Sequence, residues 1–290
     1  MTGRPRHRVR AIGVACLIAL TVLTVLTAAG CSLRWPLWRR VAPPSTPLTQ
    51  PPVSAQPPAD DGQPADASPL DGPPAGATGG KIDRRYRLPL VTSAPPGWQR
   101  VALTFDAGWE YELTPRLLDL LDEAGVKATF FLRGAWIHDH PELARDIVAR
   151  GHEVESHSYT HPDMTTLTDE QVRAELDQEA QVFSDVLSLK PTFFRPPFGA
   201  WNGHMLELLG DYGFTAAIMW TVDTLDWQSP GVETIISRAA KAGDGAIILM
   251  HLGAAQTIDA LPDVIADLRE RGLEPVTLKQ LLGRSFEQAR

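Results

Sequence analysis

The sequence predicts an α/β barrel of about seven parallel strands, preceded by a disordered linker rich in proline. Short apolar runs alternate with longer amphipathic segments through the C-terminal two thirds of the chain. This alternation is typical of parallel strands joined by helical crossovers, and about seven such units favour a barrel over an open sheet. Reactive side chains follow the ends of several apolar runs, as expected at the carboxyl end of a barrel. The segment before the first run has the composition of a linker.

Hydrophobic periodicity places the elements in chain order. The helix over 113–124 has an apolar face that includes Leu117 and Leu121, and the helix over 168–187 opens with a Thr168 cap and Gln171 three residues later. Strands are predicted over residues 101–105, 128–132, 152–155, 192–195, 215–220, 246–250 and 275–278. Helices are predicted over 113–124, 141–150, 168–187, 204–212, 232–242 and 258–271.

The first 31 residues have the pattern of a secretory signal. A basic run over residues 4–10 precedes an uncharged apolar stretch over 11–30, which ends in small residues before Cys31. Ala28-Ala-Gly-Cys31 resembles a bacterial lipobox, in which the cysteine is lipidated. The alternative is an uncleaved membrane anchor, since twenty apolar residues can span a bilayer. Both predict a protein outside the cytoplasm, tethered to the bacterial cell membrane.

Residues 32–82 form the predicted disordered linker, and 83–290 form the predicted catalytic domain. The linker is rich in Pro, Ala and Gly, so it lacks the apolar surface that would offset the entropy of ordering it. The chain has two cysteines, Cys16 and Cys31, and both precede the linker, which excludes disulfides and thiolate chemistry from the domain. The formal net charge of −8 argues against a nucleic-acid partner.

Reactive residues follow the predicted strands at one end. Because catalytic residues of parallel barrels lie at the carboxyl ends of strands, this placement predicts a single site. The residues are Asp106, His157, Arg195, Asp223, Asp226 and His251.

His157 and His161 are spaced i, i+4, which we interpret as one side of a single helical turn. Two neutral imidazoles held in this way can share one transition-metal ion. The pair alone is weak evidence, because helical surfaces carry such pairs by chance.

Five sequence blocks in this order resemble the polysaccharide deacetylases with the NodB homology domain, carbohydrate esterase family 4. The resemblance covers residues 100–282 and implies a distorted (β/α) barrel that removes N- or O-acetyl groups from sugars with the help of a metal ion. The blocks are Thr104-Phe-Asp-Ala-Gly108, His157-Ser-Tyr-Thr-His161, Arg195-Pro-Pro-Phe-Gly199, Asp223-Thr-Leu-Asp-Trp227 and Leu249-Met-His251.

The resemblance implies a role for each matching residue of the metal centre. Asp106 matches the general base, and Arg195 matches the arginine that orients it. His157 and His161 match ligands of a divalent metal ion, for which Zn²⁺ is the first expectation and Co²⁺, Mn²⁺ or Ni²⁺ are alternatives.

The same resemblance implies that His251 is the general acid that protonates the leaving amine, with Asp226 as its anionic partner. Asp223 is interpreted as structural, since its spacing to Asp226 would support a turn.

Further matches concern the substrate. Pro197 and Phe198 match the oxyanion segment, where the backbone N–H of Phe198 is the expected donor. Trp227 and Leu249 match the groove wall and the pocket for the acetyl methyl group. Ordinary core packing is the alternative for Leu249.

The first block departs from the family at Ala107, where the family usually has an aspartate that is its third metal ligand. Water could complete the coordination, Glu110 could substitute, or the metal could be lost. Relatives similar to bacterial muramic-acid deacetylases also lack this aspartate, and Trp109-Glu110 resembles their aromatic–Glu pair.

The sequence therefore predicts a membrane-tethered deacetylase acting on an N-acetylated cell-envelope glycan, with peptidoglycan as the expected polymer. A non-catalytic glycan-binding barrel and an O-acyl carbohydrate esterase are the alternatives.

Overall fold

The computed structural model describes residues 82–108 and 110–287. The predicted signal, the predicted lipidation site Cys31, the linker before Ile82 and Trp109 therefore lie outside the described residues. Within them, no helix combines the length and the apolar character needed to cross a membrane.

Strands of the described region form one curled sheet. Every pair of neighbouring strands is parallel except the first, β1 with β2. The sheet order is β1-β2-β7-β6-β5-β4-β3-β9-β8, and β10 pairs with the start of β3. The strands are β1 (Ile82–Asp83), β2 (Leu90–Val91), β3 (Arg100–Ala107), β4 (Thr129–Leu132), β5 (Glu153–Ser156), β6 (Phe193–Phe194), β7 (Ala216–Ile218), β8 (Val222–Asp223), β9 (Ile247–Leu252) and β10 (Glu274–Val276).

The segment 216–223 curls this sheet into a distorted barrel. Its first part, β7, pairs with β6, and its last part, β8, pairs with β9. Between them the N–H of Thr221 donates to the carbonyl of Ile247 at 3.0 Å. Because one extended segment joins strands at both ends of the β3–β6 series, the sheet closes on itself. The predicted barrel is confirmed.

Helices cover the outer face of the barrel. The capping box at Thr168 and Gln171 is confirmed, since each residue bonds the other's backbone. The helix over 168–187 ends in a π-helical turn, Phe183–Leu187, and Ser188 then adopts the left-handed conformation. The helices are α1 (Thr114–Glu123), α2 (Gly134–Asp139), α3 (Pro141–Ala149), α4 (Asp169–Val182), α5 (Gly203–Asp211), α6 (Val232–Ala239), α7 (Ala255–Glu270) and α8 (Leu278–Glu287).

Alternation along β3 decides which side chains reach the interior of the barrel. Val101, Leu103 and Phe105 pack in the core between sheet and helices. Successive strand residues point to opposite faces, so Thr104 and Asp106 point into the barrel. Both are buried. The polar residues of β3 are therefore held inside the barrel near its carboxyl end.

Candidate active site

The predicted reactive residues meet at the carboxyl end of the barrel. In the parallel pairing of β3 with β9, Asp106 lies directly opposite His251. β5 leads into His157, and β6 leads into Arg195, whose N–H donates to the carbonyl of Ser156 at 2.9 Å. The single site expected from the sequence is thus present in the fold.

Arg195 is fully buried and paired with Asp106. One terminal nitrogen of its guanidinium lies 2.6 Å from Oδ1 of Asp106 and 2.9 Å from Oγ1 of Thr104. The Arg195 guanidinium stacks 4.0 Å from the ring centroid of Phe131. A planar cation held on an aromatic face and by a carboxylate has little freedom to move. Arg195 therefore fixes the orientation of the Asp106 carboxylate, and a surface salt bridge is excluded because Arg195 has no exposed area.

The hydrogen bond from Nδ1 determines the tautomer of His157. This nitrogen lies 2.8 Å from the backbone carbonyl of Arg195, which can only accept, so Nδ1 carries the proton. Nε2 then holds a lone pair and lies 3.6 Å from Oδ2 of Asp106. A ring nitrogen prepared in this way is suited to bind a metal ion.

The two histidines are brought together by a loop, so the prediction of a helical turn was wrong. Residues 157–161 contain no helix. Ser158 and His161 both have left-handed backbone, with φ of 61° and 68°, and the N–H of His161 donates to Oγ of Ser158. The rings of His157 and His161 nevertheless lie 4.7 Å apart, centroid to centroid. The loop thus achieves the proximity that the i, i+4 spacing suggested.

Two glutamates on α4 hold this loop, and the sequence did not indicate either of them. Glu179 accepts hydrogen bonds from Oγ of Ser156 and from the N–H of His157. One turn earlier, Glu175 accepts from the N–H groups of Tyr159 and Thr160. The side chains at i and i+4 share one helix face, so α4 fixes the backbone on both sides of His157.

The pKa values of both histidines favour the neutral form that a metal ion requires. Burial lowers the pKa of His157 to about 3, helped by the charges of Arg195 and Arg133. Burial lowers the pKa of His161 to about 2, helped by the neighbouring His157 ring, which would repel a second positive charge, and by the charge of Arg133. Both imidazoles are therefore unprotonated at neutral pH and can donate lone pairs. The residues present fit a divalent ion at two ligand positions.

A third protein ligand is not supplied at residue 107. Ala107 is buried and packs in the core between sheet and helices. Glu110 is exposed and lies close to Gly253. A Cβ added to Gly253 would lie 2.4 Å from the Cβ of Glu110. Over residues 82–108 and 110–287, no group of three or more His, Cys, Asp or Glu side chains is arranged to hold a metal ion. Glu110 thus lies against the loop after β9, and the third ligand position stays unassigned among the described residues.

Arg133 places a positive charge beside the same segment. It is buried at the end of β4, and its guanidinium donates to the carbonyls of Ala107, at 3.1 Å, and of Gly108. Its charge lowers the pKa of both His157 and His161. Arg133 thus makes the electrostatic potential at the two rings more positive, and sequence patterns alone did not reveal this.

His251 forms the second half of the site with Asp226. Nδ1 of His251 lies 2.8 Å from Oδ1 of Asp226, and the His251 N–H donates to Oδ2 at 2.8 Å. Thr257, on α7, also donates to Oδ2. Burial would lower the pKa of His251, but the hydrogen bond and charge of Asp226, with the charges of Asp106 and Asp223, raise it above its usual value. This arrangement therefore favours the protonated form of His251 over that of a free imidazole.

Asp226 remains ionised in this arrangement. Burial would raise its pKa, but the hydrogen bond and charge of His251 and the bond from Thr257 lower it. Asp223 supports the turn, as expected, because its Oδ1 accepts from the N–H of Leu225 at 2.8 Å. Leu225 and Ser229, on either side of the turn, both have left-handed backbone.

The predicted substrate-contacting residues line the same end of the barrel. Phe198 follows buried Pro197 in a tight turn and has left-handed backbone, with φ of 59°. Its ring lies 4.5 Å from that of His161. Trp227 is half-buried beside Asp226, and Leu249 is buried on β9, two residues before His251. A strained non-glycine residue next to reactive groups is typical of functional sites.

Family comparison agrees with this geometry. Residues 93–217 match the family model described as polysaccharide deacetylase. The chain is 34% identical over 212 residues to the peptidoglycan-N-acetylglucosamine deacetylase PgdA of Listeria monocytogenes, covering 71% of this chain and 44% of PgdA. It is 32% identical over 201 residues to the peptidoglycan-N-acetylglucosamine deacetylase of Bacillus cereus, covering 68% and 73% of the two chains. The chain thus spans less than half the length of PgdA.

Solved structures include both active and inactive relatives. BA3943 from Bacillus anthracis, described as a carbohydrate esterase family 4 pseudoenzyme, is 35% identical and superposes with a TM-score of 0.64, covering 66% of this chain and 68% of its own. A mutant of BA3943 is described as having restored enzymatic activity. The chain matches the family model, is related to the Bacillus cereus deacetylase over more than two thirds of both chains, and has the fold of BA3943. It therefore belongs to the polysaccharide deacetylases, the hydrolases of carbohydrate esterase family 4.

Proposed function

We propose that this protein is a metal-dependent deacetylase acting on an N-acetylated cell-envelope polysaccharide, with peptidoglycan as the expected polymer. The observation that carries the proposal is the pairing of Asp106 with His251 in neighbouring strands. It sets an oriented carboxylate on the strand next to an imidazole whose pKa is raised, and amide hydrolysis requires both a base and an acid.

His157 and His161 would hold the metal ion through their unprotonated ring nitrogens. When bound, the ion would supply a Lewis acid to the carbonyl of the acetyl group. The ring of Phe198 packs against His161, so the backbone N–H of Phe198 is our candidate for a second group that stabilises the oxyanion.

Asp106 would remove a proton from the attacking water. Its Oδ1 is engaged by Arg195, while Oδ2 is the oxygen that faces His157. As the water oxygen bonds to the carbonyl carbon, the proton passes to Asp106. Arg195 keeps the carboxylate in one orientation and thereby reduces the entropy lost on reaching the transition state.

His251 would donate its proton to the sugar nitrogen as the carbon–nitrogen bond breaks. Its raised pKa favours retention of that proton, and Asp226 stabilises the charged ring. Trp227 and Leu249 would enclose the acetyl methyl group, since both lie on the elements that carry Asp226 and His251.

The pH dependence of activity tests this acid role. A raised pKa means that His251 loses its proton at higher pH than a free imidazole does, so the alkaline limb of the rate profile should report His251. In Asp226→Asn, the negative charge that raises the pKa is removed, and we expect the alkaline limb to move to lower pH by about one unit or more. Hydrolysis rates across pH 5–10 measure the shift. An unmoved alkaline limb would assign that limb to another group.

The predicted signal and linker support a position outside the cytoplasm. We propose that the chain is tethered to the bacterial membrane, through lipidated Cys31 or an uncleaved anchor, and that the proline-rich linker gives the domain reach into the wall. Labelling with a radioactive fatty acid, lost in Cys31→Ser, distinguishes lipidation from an anchor.

Release of acetate tests the activity directly. Purified full-length protein supplied with Zn²⁺ should release acetate from peptidoglycan or from N-acetylated oligosaccharides. O-acetylated xylan serves as the comparison substrate, because release from it alone would identify an O-acyl esterase. No acetate from any of these substrates would contradict the enzymatic proposal.

Ala107 favours a second candidate, a glycan-binding barrel without catalysis. Like BA3943, which is described as a pseudoenzyme, such a protein would keep the fold without the reaction. Metal analysis of the purified chain separates the two. Stoichiometric zinc that is lost in His157→Ala supports the enzyme, whereas absence of zinc at any concentration supports the binding protein.

A further inference from the structure

Tyr111 stands out among the exposed aromatic residues because of its position. The large hydrophobic side chains that are exposed in the described region are Trp98, Tyr111 and Leu189, with 38%, 39% and 37% of their surface accessible. Trp98 precedes β3 and Leu189 precedes β6, so both lie toward the amino ends of the strands. Tyr111 follows β3 and therefore lies at the carboxyl end, where the site opens.

The ring of Tyr111 is supported from one side. It stacks on the ring of His140, with centroids 3.9 Å apart and planes 23° from parallel. His140 in turn contacts buried Trp136, whose ring centroid is 5.4 Å away. An aromatic ring already fixed in place loses little conformational entropy when a ligand packs on its open face. Together, Tyr111 and His140 form what we call the aromatic platform.

The aromatic platform is linked through Glu110 to the elements that carry the catalytic groups. The indole N–H of Trp136 bonds the carbonyl of Glu110 at 3.4 Å. Glu110 packs closely on Gly253, two residues beyond His251. The segment that carries Tyr111 therefore joins β3, which holds Asp106, to the loop after β9.

We propose that the aromatic platform is a subsite that stacks a sugar ring of the glycan chain next to the residue being deacetylated. This inference rests on the proposed function and specifies the length of substrate that the site recognises. The C–H groups of a pyranose face carry partial positive charge and pack on the electron-rich face of an aromatic ring. The exposed carboxylates of Glu110 and Glu112, on either side of Tyr111, can accept hydrogen bonds from sugar hydroxyls.

Chain-length dependence tests the subsite. In Tyr111→Ala, we expect the Kd and KM for chitotetraose to rise about 3- to 10-fold, while kcat stays within about twofold of the wild-type value. The constants for a monosaccharide substrate should not change. Tyr111→Phe should behave as the wild type, because the ring is kept. Trp98→Ala is the matched control: it removes an equally exposed ring from the other end of the barrel and should change neither constant.

Calorimetry with chitotetraose separates this inference from the proposed function. Tetraose binding that weakens in Tyr111→Ala supports the subsite even if no acetate is released. Equal affinity in Tyr111→Ala and Trp98→Ala overturns it even if the protein is an active deacetylase, and so does the absence of measurable binding by the wild type. Thermal unfolding of each variant identifies any loss of affinity that comes from misfolding.

Discussion

Replacing Asp106 with Asn is expected to damage both stability and activity. Arg195 has no solvent exposure, and the Asp106 carboxylate is the anion bonded to it. Removing one charge of a buried pair leaves the other uncompensated, so the free energy of unfolding should fall by about 3 kcal/mol. Loss of the base should also reduce the rate of acetate release by about 10²- to 10⁴-fold. Urea unfolding and acetate assays measure the two effects.

Asp83→Asn is the matched control for this experiment. Asp83 also pairs with an arginine, Arg85, but in that pair the arginine side chain is 72% exposed. Solvent-exposed pairs contribute about 0–1 kcal/mol, so the control should be nearly neutral and fully active. If Asp106→Asn unfolds at the same urea concentration as the control, Arg195 does not depend on Asp106 for compensation of its charge.

Replacing Ala107 with Asp is expected to tighten metal binding. Ala107 packs in the apolar core at the end of β3, where an unpaired carboxylate would be costly to bury. The aspartate is therefore expected to turn toward the metal ion and join His157 and His161 as a third ligand, so the Kd for Zn²⁺ should fall by at least about 10-fold. Arg133 opposes the gain, because its guanidinium bonds the carbonyl of residue 107 and makes the site more positive. Adding Arg133→Gln should therefore lower the Kd further. Isothermal calorimetry with Zn²⁺ gives the dissociation constants.

Ala107→Asn separates charge from shape in this prediction. It has nearly the size of aspartate but no charge, so it should leave the affinity for Zn²⁺ within about threefold of the wild type. If Ala107→Asp also leaves the affinity unchanged, another group already fills the third position. If the double variant with Arg133→Gln binds no more tightly than Ala107→Asp alone, Arg133 does not influence the metal.

Local sequence patterns were sufficient to predict the longer strands and helices of the barrel. β3, β4 and β9 are continuous apolar runs, and α4 carries a capping box, so each has a signal within its own residues. β2 and β8 contain two residues each and were not predicted. They become strands only because β7 and β9 offer them backbone partners, which no local pattern encodes.

The candidate site shows the same division. The position of Asp106, His157, Arg195 and His251 after predicted strands indicated that they form one site, because a parallel barrel brings the carboxyl ends of its strands together. The helical turn predicted for the histidine pair was wrong, since Ser158 and His161 take left-handed conformations. Spacing in a sequence describes a regular helix and does not reveal a loop stabilised by distant acceptors.

By itself, the sequence determined the order of the longer strands and helices and the reactive groups at the carboxyl end. Only the tertiary structure decided how those groups are held. Glu179 lies 22 positions from His157, Arg133 lies 26 from Ala107, and Thr257 lies 31 from Asp226. Contacts over such separations form when helices pack on the sheet, so their charges and hydrogen bonds depend on the complete fold. The lowered pKa values of His157 and His161 and the raised pKa of His251 are consequences of that packing.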